Sequence, residues 1–328
     1  MRLKLALILL LLASRAVAAS ADGTILGWRP YAPNVASYEE LVERLAAAPA
    51  ADERDPPFDE AAFRRARPPR LFDALKSGDV EASRFFYASD GLKVEGYMVR
   101  PARLEAKSPV IVYLRGGNRG FGEISLAQVL DMTAWAQRGY VVLATSYRGS
   151  TRSEGEDEFG GDDVRDVHSL IAAAAHIEQA DTDNVFLIGV SRGGMMAYRA
   201  VAEGAPVRAA AIVGGLADLG ANAASRPQML EIYRSLMPDF AEEQATGFCR
   251  RSAVCWPEKL DAPLLVLHGA DDWRVDAADA ERLVAAVNAA GGAAELVVYP
   301  GDDHMLGRNA SDAWDRALAF FAAHGKAG

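Results

Sequence analysis

From residue 85 onward, short runs rich in Val, Ile, Leu and Ala alternate with stretches in which apolar residues recur every three or four positions. Short apolar runs bounded by turn residues mark buried strands, and the longer recurrence marks amphipathic helices. Strands are expected at Arg84 to Ala88, Lys93 to Arg100, Val110 to Leu114, Val141 to Thr145, Val185 to Ile188, Ala209 to Val213, Leu264 to His268 and Leu296 to Tyr299. Helices are expected near 126–137, 162–179, 192–203, 277–290 and 312–323. The first two strands are close enough for a hairpin. The later ones are separated by helices, which calls for parallel pairing with helices on both faces. The fold class is α/β, with a mostly parallel sheet of about eight strands.

Three segments break this rhythm. Residues 20–84 are rich in Ala, Pro and charge, with helical periodicity only around 38–48 and 59–66, and read as a helical or extended arm before a catalytic domain at 85–328. Between Val213 and Leu264 lies a helical insertion, about 216–260, containing RPQMLEIYRSLM and DFAEEQATGF. An insertion after a strand's carboxyl end lies where ligands bind in such sheets, so it reads as a lid or pocket wall. At the front, Arg2 and Lys4 precede a nine-residue apolar run and then Ala16-Val17-Ala18. That is the layout of a cleavable signal peptide over 1–19, and nine residues fall short of the about 20 needed to span a bilayer. The expected location is periplasmic or secreted, with a mature start near Ala19 or Ser20 and no stable membrane insertion.

The formal charge of −10 becomes −13 without Arg2, Lys4 and Arg15. So acidic a chain suits no nucleic-acid partner, because phosphate binding needs clustered cations. Its one basic cluster, FRRARPPR, reads as a solvated, proline-bent arm. The only cysteines, Cys249 and Cys255, could bridge in an oxidising compartment if a turn separates them.

The chemistry concentrates in VFLIGVSRGG, an apolar strand followed by G-x-S-x-G and a helix. A serine at this spacing occupies a tight strand-to-helix turn, and Gly189 and Gly193 leave the room it needs. The helix start places the backbone N–H of Arg192 where an oxyanion would form. A serine hydroxyl needs a base oriented by a carboxylate, in the chain order Ser, Asp, His. Asp271 and Asp272 lie just beyond one strand, and His304 lies beyond the next. Asp302 and Asp303 read as turn residues before His304, and His168, His176, His268 and His324 as structural. The glycine-rich loop after Leu114 could supply a second oxyanion donor from the backbone of Gly116, Gly117 or Asn118. In the insertion, Tyr233 and Met237 are candidate pocket residues. The acidic stretch EGEDEFGGDDVRD lacks metal-ligand spacing and reads as acids at a helix start. No cofactor or metal is implied.

Four segments together, SYRGSTRSEGEDEFGGDDVRDV, GVSRGGMMA, HGADDWRV and PGDDH, resemble the catalytic domain of the prolyl oligopeptidase family, over residues 85 to 324. The resemblance implies an α/β-hydrolase fold. Its D-x-x-V pattern selects Asp272 over Asp271, so the implied triad is Ser191, Asp272 and His304. Two departures stand out. Sixty-five residues, 20–84, are too few for the family's propeller, and Arg115 stands where several members carry a tyrosine or histidine. The expected activity is serine-peptidase cleavage of small peptides through an acyl-enzyme. The alternatives are a carboxylesterase for small acyl esters or, in another class, an inactive hydrolase-fold binding protein.

Overall fold

The computed structural model describes residues 20–238 and 240–326. The expected signal peptide lies outside these residues. Nine strands form one sheet: β1 (Ile25–Pro30), β2 (Val80–Ser89), β3 (Leu92–Pro101), β4 (Ser108–Leu114), β5 (Val141–Thr145), β6 (Ala180–Val190), β7 (Ala209–Val213), β8 (Leu264–Gly269) and β9 (Ala294–Tyr299). Their spatial order is β1-β2-β3-β5-β4-β6-β7-β8-β9. β1, β2, β3 and β5 pair antiparallel in turn, and every pairing from β5 through β4 to β9 is parallel. β2 and β3 form the expected hairpin. Asp90 and Gly91 both take positive φ, 50° and 75°, which matches the right-handed twist of the flanking strands.

The helices are α1 (Tyr38–Ala47), α2 (Glu60–Ala66), α3 (Pro69–Ser77), α4 (Leu126–Ala136), α5 (Val164–Ala173), α6 (Arg192–Ala202), α7 (Leu219–Ser225), α8 (Met229–Leu236), α9 (Phe240–Arg250), α10 (Ala277–Ala289) and α11 (Ala310–His324). Side chains of the central strands alternate between two apolar cores. One, including Val112, Leu187 and Ile212, is covered by α5, α6 and the insertion. The other, including Ile111, Ile188 and Leu267, is covered by α4, α11 and the N-terminal helices. Such two-sided burial explains why β4, β5 and β7 read as continuous apolar runs.

The segment before residue 85 is not a separate arm. The expected boundary falls inside β2, and Leu41, Phe63 and Phe72 are core residues. β1, a ninth strand beyond the eight expected, is mostly exposed and contains Gly27 and Pro30, so it carries no apolar pattern. The basic cluster is solvated only in part: Arg65 and Arg70 are exposed, whereas Arg64 and Arg67 are held in ion pairs. Pro69 opens α3 as its first helical residue, Arg64 pairs with Glu39 and Glu60, and Arg67 pairs with Asp131.

The insertion between β7 and β8 holds α7, α8 and α9. Cys249 and Cys255 are bonded there, with Cα atoms 5.6 Å apart, across the turn between α9 and the short 3₁₀ helix Ala253–Cys255. Among the described residues no helix is long and apolar enough to cross a membrane.

Candidate active site

After β4 the chain crosses to β5 on one side, then returns to add β6 on the other. The carboxyl ends of β4 and β6 therefore form a topological switch point, where loops diverge and leave a crevice. Leu114 lies opposite Gly189, so the glycine loop after β4 and the elbow after β6 are neighbours by sheet register.

At the elbow Ser191 takes φ 57° and ψ −123°, a conformation rarely populated by a residue with a side chain. Both flanking glycines are required. A Cβ on Gly189 would lie 2.5 Å from the Gly193 carbonyl oxygen, and one on Gly193 would lie 1.9 Å from that of Leu114. Arg192 is the first residue of α6, where no carbonyl lies four residues back in the helix to accept its N–H.

Two strands away, β8 delivers Asp272 and β9 delivers His304. His304 Nδ1 and Asp272 Oδ2 are 2.8 Å apart and buried. The second carboxylate oxygen, Oδ1, accepts from the backbone N–H groups of Arg274 and Val275 at 2.8 and 3.0 Å. His268, fully buried, places Nε2 3.1 Å from Oδ2 and 2.9 Å from the Val275 carbonyl. Burial alone would raise the Asp272 pKa, but hydrogen bonds from His268 and His304 hold it well below the ordinary carboxylate range. For His268, burial pushes down and the bonds to Asp272 and Val275 push up, with a net rise. Asp271 stays exposed. Asp302 accepts from the backbone of Asp303, Arg308 and Asn309, and Asp303 accepts from Met305 and Gly307. Both acids shape the His304 loop, as turn residues do.

The glycine loop is held from beneath by two buried arginines. Arg115 directs its guanidinium at carbonyls alone: Ser146 at 2.8 Å, Gly116 at 2.9 Å, Arg119 at 2.8 Å and Phe121 at 3.1 Å. The Arg192 side chain bonds the Gly117 carbonyl at 3.0 Å and pairs with Asp157 at 2.7 Å and with Asp163. Asn118 spends its N–H on the Phe121 carbonyl, 3.1 Å away. The acids of 154–166 are thus more than helix-start residues, since Asp166 also pairs with buried Arg148. A signal was present: an arginine inside a buried elbow needs a counter-ion, and the densest run of acids lies upstream.

Ser191 and His304 open onto one cavity of about 690 Å³, lined also by Gly116, Gly117, Asn118, Phe159, Leu216, Ile232 and Tyr233. That volume suits a small-molecule or short-peptide site. The segment before residue 85 forms part of the wall through Ala51, Asp52, Asp55 and Pro56. Asp55 anchors it, pairing with Arg274 at 2.6 Å and accepting from the Trp273 indole N–H at 3.2 Å. Arg54 stacks over the Trp273 ring at 3.6 Å. Met237 is buried but not on this lining, so of the two candidate pocket residues only Tyr233 reaches the cavity. Its hydroxyl donates to Asn222 at 2.7 Å. Of the remaining histidines, His168 lies 3.5 Å from Glu203, a partner invisible at sequence range, and His324 bonds the Phe320 carbonyl within its own helix. Among the described residues no group of three His, Cys, Asp or Glu is placed to hold a metal ion.

Tyr233→Ala should alter relative kcat/KM across a series of acyl lengths, since apolar pocket contacts discriminate by about 1–3 kcal/mol per methylene. Met237→Ala should leave that ratio unchanged and lower stability by about 2–5 kcal/mol. Rates across the series, with denaturant midpoints for both variants, separate the two roles.

An elbow serine with a histidine–aspartate pair on neighbouring strand ends of a mostly parallel sheet defines the class of α/β-hydrolase-fold serine hydrolases. The sequence profile of the prolyl oligopeptidase family, peptidase S9, matches residues 127–327, well over half of the chain, and the chain belongs to that family. It is 27% identical over 190 residues to the uncharacterized peptidase YtmA of Bacillus subtilis, spanning 58% of this chain and 72% of that one. It spans about a third of the length of several longer curated relatives. Among solved structures, Pyrococcus horikoshii acylaminoacyl peptidase superposes with a TM-score of 0.67 at 21% identity, over 79% of this chain and 44% of that one. A putative dienelactone hydrolase from Klebsiella pneumoniae superposes with a TM-score of 0.57 at 22% identity, over 74% of this chain and 98% of that one. Both structural likenesses concern the fold.

Proposed function

We propose that the chain is a serine peptidase that cleaves amide bonds of small peptides through an acyl-enzyme at Ser191. The observation that carries this reading is the His304–Asp272 pair opening, with the strained Ser191, onto one cavity. His304 takes the Ser191 proton as the hydroxyl attacks the carbonyl, then returns it to the leaving amine. Water enters, His304 deprotonates it, and the acyl group is released. Asp272, with both oxygens occupied by donors, keeps the ring oriented and stabilises it when charged. The oxyanion is held by the Arg192 N–H and by one donor of the glycine loop. In a trans peptide the C=O and the following N–H point opposite ways. The Gly116 carbonyl faces Arg115, so the Gly117 N–H is turned away from that guanidinium. The Asn118 N–H is occupied, which favours Gly117 as the second donor.

The apolar share of the lining and the likeness over nearly a whole dienelactone hydrolase chain favour one second reading, a carboxylesterase for small acyl esters. A parallel screen of aminoacyl and peptidyl amides against short-chain p-nitrophenyl esters separates the two. A fluorophosphonate probe tests the shared mechanism. Labelling is expected in the wild type and absent in Ser191→Ala, and an unlabelled, folded wild type would instead indicate a binding protein. Export is part of the proposal. Protein recovered from a Gram-negative periplasm should begin near Ala19 or Ser20 by mass analysis, and Met1 retained on cytoplasmic enzyme would rule this out.

A further inference from the structure

Three arginines line the cavity: Arg192, Arg226 and Arg274. Arg192 is neutralised by Asp157 and Asp163, and Arg274 by Asp55. Arg226, the residue capping the C-terminal end of α7, forms no ion pair among the described residues. One nitrogen of its fork, Nη1, donates to the Arg274 carbonyl at 3.3 Å, and its Nε is buried with no partner. Its guanidinium lies 5.0 Å from the centre of the Trp273 ring, which supports it on one side. The acids on the same lining are otherwise engaged. Asp52 pairs with Arg54 at 2.9 Å, and Asp303 accepts from the Met305 and Gly307 amides.

A half-buried cation loses hydration, and no carboxylate in this wall pairs with it to return the loss: Asp52 acts on it only at longer range, against the like charges of Arg274 and Arg54. A carboxylate entering the cavity would do so, because the guanidinium fork matches its geometry and its hydrogen bonds are charge-assisted. We propose that Arg226 is a specificity residue that binds a carboxylate on the substrate, so that acidic substrates are preferred over neutral isosteres. This rests on reading the cavity as the hydrolytic site. The carboxylate is either an acidic side chain or a chain terminus, and both present the same two oxygens.

Binding to Ser191→Ala protein, measured by calorimetry, tests this without turnover. One peptide pair is a blocked tripeptide with central glutamate or glutamine. The other is trialanine with a free or an amidated carboxyl terminus. In at least one pair the carboxylate member should bind about tenfold tighter, and which pair does so identifies the source. Adding Arg226→Gln should bring that preference within about twofold while leaving the neutral member's affinity unchanged, and Arg226→Lys should retain part of it. Equal binding of both members, no detectable binding of any, or an equal loss for both in Arg226→Gln would overturn the proposal. Should Arg226→Gln not fold, the wild-type-background preference and Arg226→Lys decide in the same way. Failure of the hydrolytic reading shows separately, as absent fluorophosphonate labelling of the wild type.

Discussion

Asp272→Asn should lower kcat by about four orders of magnitude, the scale seen when a serine protease loses the carboxylate behind its histidine. An amide offers an N–H where the His304 Nδ1 proton needs an acceptor, so the ring turns to the wrong tautomer and cannot take the serine proton. The contrast with its neighbour sharpens the test. Asp271 is exposed, and its one backbone bond, to the Asp302 carbonyl at 3.0 Å, does not involve the side chain. Asp271→Asn should therefore leave kcat within about threefold of the wild type, as expected of a surface substitution. Single-turnover rates of the three proteins check this. A more damaging Asp271→Asn would mean that the acid loop is assigned in the wrong register. Stability carries a second signature. The Asp272 pKa is depressed in the folded state, so its contribution is fully present above the unfolded carboxyl value, about 4, and is lost as pH falls through the folded value. The difference in unfolding free energy between wild type and Asp272→Asn should shrink as the pH falls below about 4, and, because the same carboxylate holds the His268 pKa up, it should also decline as the pH rises through the folded His268 value.

Asp163→Ala should destabilise the protein by about 2–4 kcal/mol, less than the full cost of an uncompensated buried charge because Asp157 still pairs with Arg192. Asp163 and Arg192 are both buried, and Asp157 alone cannot satisfy the whole guanidinium. The adjacent Asp162 is the control. Its pair with Arg165 is 3.5 Å long, and both side chains are more than half exposed, so Asp162→Ala should cost less than about 1 kcal/mol. Urea midpoints of the two variants give the comparison directly. Activity should fall with Asp163→Ala even where the protein remains folded. The same guanidinium bonds the Gly117 carbonyl, and releasing it loosens both sides of the proposed oxyanion site. Loss of stability without loss of kcat would confine this network to a structural role.

What depends on neighbours along the chain can be read from the order of residues alone. The G-x-S-x-G turn is legible because a Cβ on Gly189 would strike the Gly193 carbonyl within the same turn, although the bar at Gly193 comes from the Leu114 carbonyl on the neighbouring strand. The hairpin at Asp90-Gly91 and the doubly buried strands are legible for the same local reasons, φ sign and apolar run length. The choice of Asp272 over Asp271 needed the family pattern. In the structure it follows from the Arg274 and Val275 amides, which clamp one oxygen and leave the other for His304. Tertiary structure decided the rest. β1 exists because β2 offers it an edge, so no periodicity in its own residues marks it. Arg115, which in sequence registers only as a departure from the family's tyrosine or histidine, is the support of the glycine loop, and its acceptors are backbone carbonyls that leave no mark in composition. The wall formed by Asp55 against Trp273 joins residues 218 positions apart. A contact closed over so long a loop has no local propensity behind it, and only the packed sheet brings its two ends together.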